Sequence, residues 1–228
     1  MDYVCVILGG GGHARVLIDC LQAIGRVQLH GILDPDRCRW GQTIWGIPIL
    51  GGDDLLVEAV ASGVNCFAVG LGGTGDNSPR GRLFKFALSY GLEPLTIIHP
   101  TAMVSRWAKV GDGSQLMPGS IVNAGAELGI NVIINSGAIV EHDCLIGNHI
   151  HVSTGAKLSS AVRVGDGAHI GAGATVRQCI AVGENAIVGA GAVVVEDVSP
   201  GVVVAGVPAR QLRGVGAQWK SAKQIQKR

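Results

Sequence analysis

Aromatic residues are scarce: Phe, Tyr and Trp together make up 4% of the 228-residue chain. That excludes an ordinary core built on packed rings. Charge is also sparse, at 15% of residues with a formal net charge of +1. Nucleic-acid binding needs a clustered basic face, and this balance supplies none. The one basic bias is terminal, Lys220 to Arg228, and reads as a solvated tail over 214–228. No CxxC pair occurs among the cysteines at 5, 20, 38, 66, 144 and 179, and no His-rich spacing accompanies them. They read as reduced, mostly buried thiols, and no metal site is expected. The start, Met1 to Leu8, lacks a basic n-region, and its apolar run is too short for export or for spanning a membrane. A cytoplasmic protein with no membrane partner is expected.

Glycine, by contrast, is abundant at 36 residues. Such a chain turns sharply and often, with small side chains at the turns. Residues 3–8 read as a buried strand stopped by Gly9, Gly10, Gly11 and Gly12. Val16, Leu17, Cys20, Leu21 and Ile24 then share one helical face, with Gly25 as C-cap. Val27–Asp34 and Cys66–Val69 read as further strands, and Asp53–Ala61 and Arg80–Tyr90 as helices. The alternation implies a Rossmann-like α/β unit over 1–98 with a parallel sheet. His99-Pro100-Thr101 reads as the hinge into a second domain, 99–213.

From about Ala108 to Val194 a period of six takes over. Its third position runs Val110, Leu116, Val122, Leu128, Ile134, Val140 and onward to Val194, fifteen hexads without a break. The first position is mostly Ala or Ser, and the fourth is Gly in seven hexads. A short period sustained this long indicates a solenoid. Each hexad forms one flat face, three faces close a triangular coil, and glycine eases the turn. The expected fold is therefore an α/β domain followed by a left-handed parallel β-helix of about five coils. Flat prism faces also suit packing around a three-fold axis, so a homotrimer is expected.

Three clusters could carry chemistry. Gly9, Gly11 and Ala14 fit GxGxxA between a strand and a helix, and Asp34 closes the second strand. Backbone N–H groups at such a helix start favour phosphate oxygens, and the acid suits a sugar hydroxyl. Read alone, the motif would predict NAD, against which the β-helix and the shortness of the α/β unit argue; the bland alternative is a glycine-rich turn with no ligand. Glu141-His142-Asp143 places a histidine between two carboxylates. A carboxylate on one ring nitrogen fixes the tautomer and leaves the other as a base. The bland alternative is a solvated polar corner. His151 follows nine residues after His142, half a coil, so the two leave different faces of one prism. They share a site only if a neighbouring subunit brings its own face alongside. Cys144 falls on the small inward first position and reads as core.

The chain resembles the bacterial nucleotide-sugar acyltransferases of the hexapeptide-repeat group, which N-acetylate amino sugars of bacillosamine-type glycans or O-acetylate sialic acid. The resemblance spans roughly residues 3 to 213. It rests on Ile7 to Ala14, Ile98-His99-Pro100, Asn135 to Ala138, Glu141-His142-Asp143, His151-Val152-Ser153 and Gly206 to Ala209. It implies direct transfer from acetyl-CoA to a nucleotide-linked amino sugar. By this resemblance His142 is the base and Asp143 orients it. His151 meets the thioester region, and Ala172 and Ala190 line the CoA groove. Gly11, Gly12 and His13 cradle the nucleotide-sugar phosphates, Asp34 lies near the nucleotide, and UDP with a 4-amino-4,6-dideoxy sugar is the preferred substrate. Asn135 or backbone N–H groups are expected to stabilise the oxyanion. The 70–80 loop is longer than in many relatives, which puts a ligand contact from Arg80 in question. O-acetylation of a sugar hydroxyl, a non-catalytic nucleotide-sugar-binding protein and an NAD-linked enzyme are the rival readings.

Overall fold

The computed structural model describes residues 3–73 and 75–216. The basic tail from 217 onward lies outside the described residues. The first domain holds β1 (Tyr3–Leu8), α1 (Gly12–Ile24), β2 (Val27–Leu33), β3 (Thr43–Ile44), β4 (Ile47–Gly51), α2 (Leu56–Ala61), β5 (Cys66–Val69), α3 (Ser78–Leu88) and β6 (Glu93–Pro94). These strands form one sheet in the order β3-β4-β2-β1-β5-β6, parallel apart from the β3–β4 pair. β1 is central and apolar, and Cys5 to Leu8 are fully buried between helix layers. Gly25 ends α1 at φ 69°, with its N–H on the Leu21 carbonyl. The β3–β4 hairpin was not expected. Its two-residue turn is Trp45-Gly46, both at positive φ (47° and 83°). Tryptophan in the first turn position hides the Asn-Gly pattern that normally announces such a hairpin.

The hexads form a triangular prism of three parallel sheets. The first face stacks the pairs 97–98, 115–116, 133–134, 151–152, 169–170 and 187–188. The second face runs from Met103–Val104 to Val193–Val194, and the third from Lys109–Val110 to Ala181–Val182. Each strand therefore pairs with the one eighteen residues on. The third-position side chains from Leu116 to Val194 are buried in one continuous core with the first-position residues from Ala126 to Ala192. Small residues at the corners and aliphatics on the faces fill the interior without rings. The coil starts two hexads before Ala108, at Ile97–Ile98, and ends at Val202–Ala205, capped by the antiparallel strand Arg210–Gly214.

Glycine plays two parts in the coil, and only one was legible in the repeat. The fourth-position glycines do not ease the turn. A Cβ on Gly165 would lie 2.6 Å from the Glu184 backbone nitrogen, so glycine there permits close approach of the next coil. The turn itself falls on the sixth position, which is left-handed throughout: Gly173 and Gly191 at φ 66°, but also Asn131, Asp143, His149, Ala161, Cys179 and Asn185. Non-glycine residues tolerate this region at a cost, least for Asn and Asp. Gly165→Ala is expected to cost about 1–3 kcal/mol through overpacking. A thermal melt of the variant checks this.

Candidate active site

The second edge of the prism, between the second and third faces, carries Glu141-His142-Asp143. Asp143 takes the left-handed corner at φ 61°. This turns its carboxylate back onto the preceding residue, and Oδ2 lies 2.7 Å from His142 Nδ1. The His142 side chain stays 55% exposed, so the ring can meet a ligand. The Asp143 carboxylate can only accept, so Nδ1 carries a proton, and in the neutral ring Nε2 is the basic nitrogen. Ser160, one coil further on, sets its Oγ 2.8 Å from that Nε2. Glu141 turns away from the ring and accepts from the His142 backbone N–H at 3.3 Å. Cys144 is core, with its thiol on the Ser159 carbonyl at 3.2 Å.

The first edge, between the first and second faces, carries Asn135, Ala172 and Ala190. The half-buried Asn135 donates from Nδ2 to His151 Nε2 at 3.0 Å, and its Oδ1 accepts from the Ser136 N–H at 2.8 Å. One Nδ2 hydrogen remains for another partner. Ala172 and Ala190 are exposed and line an open groove of about 400 Å³ with Gly73, Gly75, Ser153, His169 and Gly171. Small side chains leave backbone groups accessible there, which suits a long, narrow ligand.

The structure thus brings His142 to Asp143, and Asn135 to His151, but places the two pairs on different edges of the protomer.

His151 is not free to act alone. It is 6% exposed, and its Nδ1 donates to the Gly73 carbonyl at 2.8 Å while Nε2 accepts from Asn135. Both ring nitrogens are therefore engaged, one by Gly73 and one by Asn135. The 71–77 loop is fastened further by Asn77, whose Nδ2 donates to the Ala168 carbonyl at 2.8 Å.

In the first domain Gly11 and Gly12 open α1 with exposed backbone, and no atom lies within 4 Å of a Cβ on either. A 13-residue helix starting on free N–H groups favours an anion. His13 does not point its ring at that site. Its Nε2 meets Gln115 Oε1 at 2.7 Å on the first prism face, and Gln115 in turn donates to the Val69 carbonyl at 3.0 Å. Asp34 has both oxygens engaged: Oδ2 accepts from the Gly10 N–H at 2.6 Å and from Arg39, and Oδ1 from the Asp36 N–H. It shapes the glycine loop from beneath.

Arg80 lies in the seam between the two domains. Its guanidinium is 1% exposed, and Nη1 donates to the Val69 and Leu71 carbonyls at 2.8 and 3.0 Å, with Nε 3.4 Å from the Asn131 carbonyl. The side chain thus ties the first domain to the β-helix, while its Nη2 is buried without a hydrogen-bond partner in the protein.

Burial pushes the histidines of this seam down. His13 falls to about 4, through burial and then the Arg80 charge. His151 falls to about 3, through burial and then His169. Both stay neutral when folded but titrate near the ordinary 6.5 when unfolded. Their contribution is therefore complete above pH 6.5 and is lost as pH falls toward 4 and 3. Each would contribute a slope of about 1.4 kcal/mol per pH unit below 6. Melts between pH 7 and 4.5 are expected to show the decline, and His13→Gln a shallower one.

Sequence reasoning missed Ser160, Gln115, Asn77 and Arg39. Only Ser160 had a signal, since it stands eighteen residues, one coil, after His142. Among the described residues no group of three or more His, Cys, Asp or Glu could hold a metal, and no helix is long and apolar enough to cross a membrane.

The family model for the PglD N-terminal domain matches residues 5–86. The acetyltransferase domain of PglB from Neisseria gonorrhoeae FA1090 is 36% identical, covering 92% of this chain and 100% of its own, with a TM-score of 0.85. PerB from Caulobacter crescentus, in complex with CoA and GDP-perosamine, is 37% identical over 93% of this chain and 98% of its own, with a TM-score of 0.87. WeeI from Acinetobacter baumannii AYE, at 24% identity over 92% of this chain and 100% of its own with a TM-score of 0.79, shares the fold. Among curated proteins no sequence matches.

Proposed function

This chain belongs to the hexapeptide-repeat sugar N-acetyltransferases, the family of PglB and PerB, and we propose that it moves the acetyl group of acetyl-CoA onto the amine of a nucleotide-linked amino sugar. The observation that carries this reading is an exposed histidine whose Nδ1 lies 2.7 Å from Asp143 Oδ2. The sugar amine attacks the thioester carbonyl. His142 Nε2 takes the proton that the nitrogen sheds, and Asp143 stabilises the imidazolium. The remaining Nδ2 hydrogen of Asn135, or backbone N–H groups of the first edge, stabilises the oxyanion. Collapse of the intermediate releases CoA thiolate, which leaves as the thiol with the proton from His142. No acyl-enzyme is required.

The 1–98 domain holds the nucleotide-sugar, with its phosphates on the backbone N–H groups of Gly11, Gly12 and His13. The 99–213 domain holds CoA along the first edge, past Ala172 and Ala190. His142 and Asn135 stand on different edges, so a complete site takes one edge from each of two neighbouring subunits. A homotrimer supplies three such sites. Light scattering is expected to give about three times 23.4 kDa; a monomer that turns over would separate Asn135 from the chemistry.

Family resemblance favours UDP and a 4-amino-4,6-dideoxy sugar, whereas PerB is solved with GDP-perosamine. Thermal-shift screening against acetyl-CoA, UDP-, GDP- and dTDP-sugars and NAD tests the reading. Stabilisation by acetyl-CoA and by one nucleotide-sugar class is expected. Stabilisation by NAD alone would overturn it.

A further inference from the structure

The second edge contains a contact that the transfer mechanism does not use. Ser160 Oγ lies 2.8 Å from His142 Nε2, and Asp143 Oδ2 lies 2.7 Å from Nδ1. In the neutral ring Asp143 keeps the proton on Nδ1, so Nε2 is a bare lone pair and the Ser160 O–H donates to it. The base is therefore occupied in the resting protein. The occupant stands where an acceptor nucleophile has to stand, since a general base needs its substrate within about 2.6–3.2 Å.

The backbone makes this placement specific. Residues 142 and 160 are one coil apart, and the coils are pinned by the Ala161 N–H on the His142 carbonyl at 3.0 Å. Ala161 holds the left-handed corner at φ 57°, as Asp143 does one coil below. The hydroxyl is thus delivered to the ring by stacked corners rather than by a mobile loop. Ser160 itself is partly exposed, and so is the ring it caps, so solvent reaches this edge.

We propose that Ser160 is a positioning residue that caps the His142 base until an amino sugar displaces it, and so holds back hydrolysis of bound acetyl-CoA. This rests on the reading of His142 as the base. Without the cap, water can take the vacated position. Its oxygen attacks the thioester carbonyl and its proton passes to Nε2. The C–S bond then breaks, the thiolate takes the proton from the imidazolium, and CoA thiol is released with acetic acid, which gives its remaining proton to solvent. A serine between a histidine–aspartate pair and solvent also has the layout of a nucleophile. The direct-transfer reading needs no acetyl-serine, and the test separates the two.

Two readouts on the full-length protein are decisive. The first is the rate of His142 modification by diethyl pyrocarbonate, mapped by peptide mass, which reports access to Nε2 whether or not the protein turns over. The second is CoA-thiol release from acetyl-CoA with no acceptor present. Losing one neutral hydrogen bond corresponds to about a five-fold change. Ser160→Ala is expected to raise both rates by about that factor, Ser160→Thr to restore them, and the Ser160→Ala/His142→Ala double variant to lose the gain in thiol release. Unchanged labelling of His142 in Ser160→Ala overturns the cap. So does an acetyl adduct on the Ser160 peptide of the unsubstituted protein. Undiminished sugar acetylation by His142→Ala would instead remove the base reading, and the labelling result would still decide the cap.

Discussion

His142→Ala is expected to lower kcat by about 10²–10⁴-fold, the usual worth of a general base, with KM for both substrates nearly unchanged. The ring sits on an exposed corner and fills no cavity, so the fold loses little with it. Asp143→Asn is a useful companion. Asparagine tolerates the left-handed corner that Asp143 occupies at φ 61°, so the backbone keeps its shape while the carboxylate is lost. The companion should lose turnover without losing thermal stability. Steady-state kinetics with saturating acetyl-CoA checks both variants. If His142→Ala turns over at the parental rate, the histidine has no part in the chemistry.

Arg80→Met is expected to have the largest effect on stability and little direct effect on the nucleotide site. The guanidinium joins the end of β5 to the β-helix through the Val69, Leu71 and Asn131 carbonyls. Burial lowers its ordinary value to about 9, and it remains charged at neutral pH. Losing the two short charge-assisted bonds, each worth about 1.5–3 kcal/mol, leaves buried carbonyls without a donor and costs on the order of 3–5 kcal/mol. In a chain of this length that lowers the thermal midpoint by roughly 6–20 °C. Were Arg80 a phosphate ligand instead, the variant would melt normally and bind nucleotide-sugar weakly. A melt together with nucleotide-sugar binding at a temperature where the variant is folded distinguishes the two.

The prism was legible because its rule is local. The third position of each hexad is aliphatic and the first is mostly Ala or Ser, and the eighteen-residue pitch follows from three hexads. That pitch also stacks position 160 on 142, so the Ser160 contact was within reach of the same counting. Asp143 stands at a sixth position, where glycine is the easiest occupant, and its left-handed corner sets the carboxylate against the His142 ring. The seam between the domains was not legible. His13, Arg80, Gln115 and His151 lie far apart in sequence and meet only once α1 and β5 dock on the first face. A buried arginine that donates to backbone carbonyls leaves no motif. Nor does a histidine whose ring turns from the glycine loop toward a glutamine. The β3–β4 hairpin was hidden for a simpler reason, a tryptophan in a turn position that usually holds Asn or Gly.

The most direct measurement is acetyl transfer from acetyl-CoA by the intact protein across UDP-, GDP- and dTDP-linked amino sugars, with products read by mass and by the position of the new acetyl group. The expected result is an amide on the sugar nitrogen for one nucleotide class, abolished or nearly so in His142→Ala. An acetyl ester on a sugar hydroxyl, or no transfer to any amine on the panel, would contradict it.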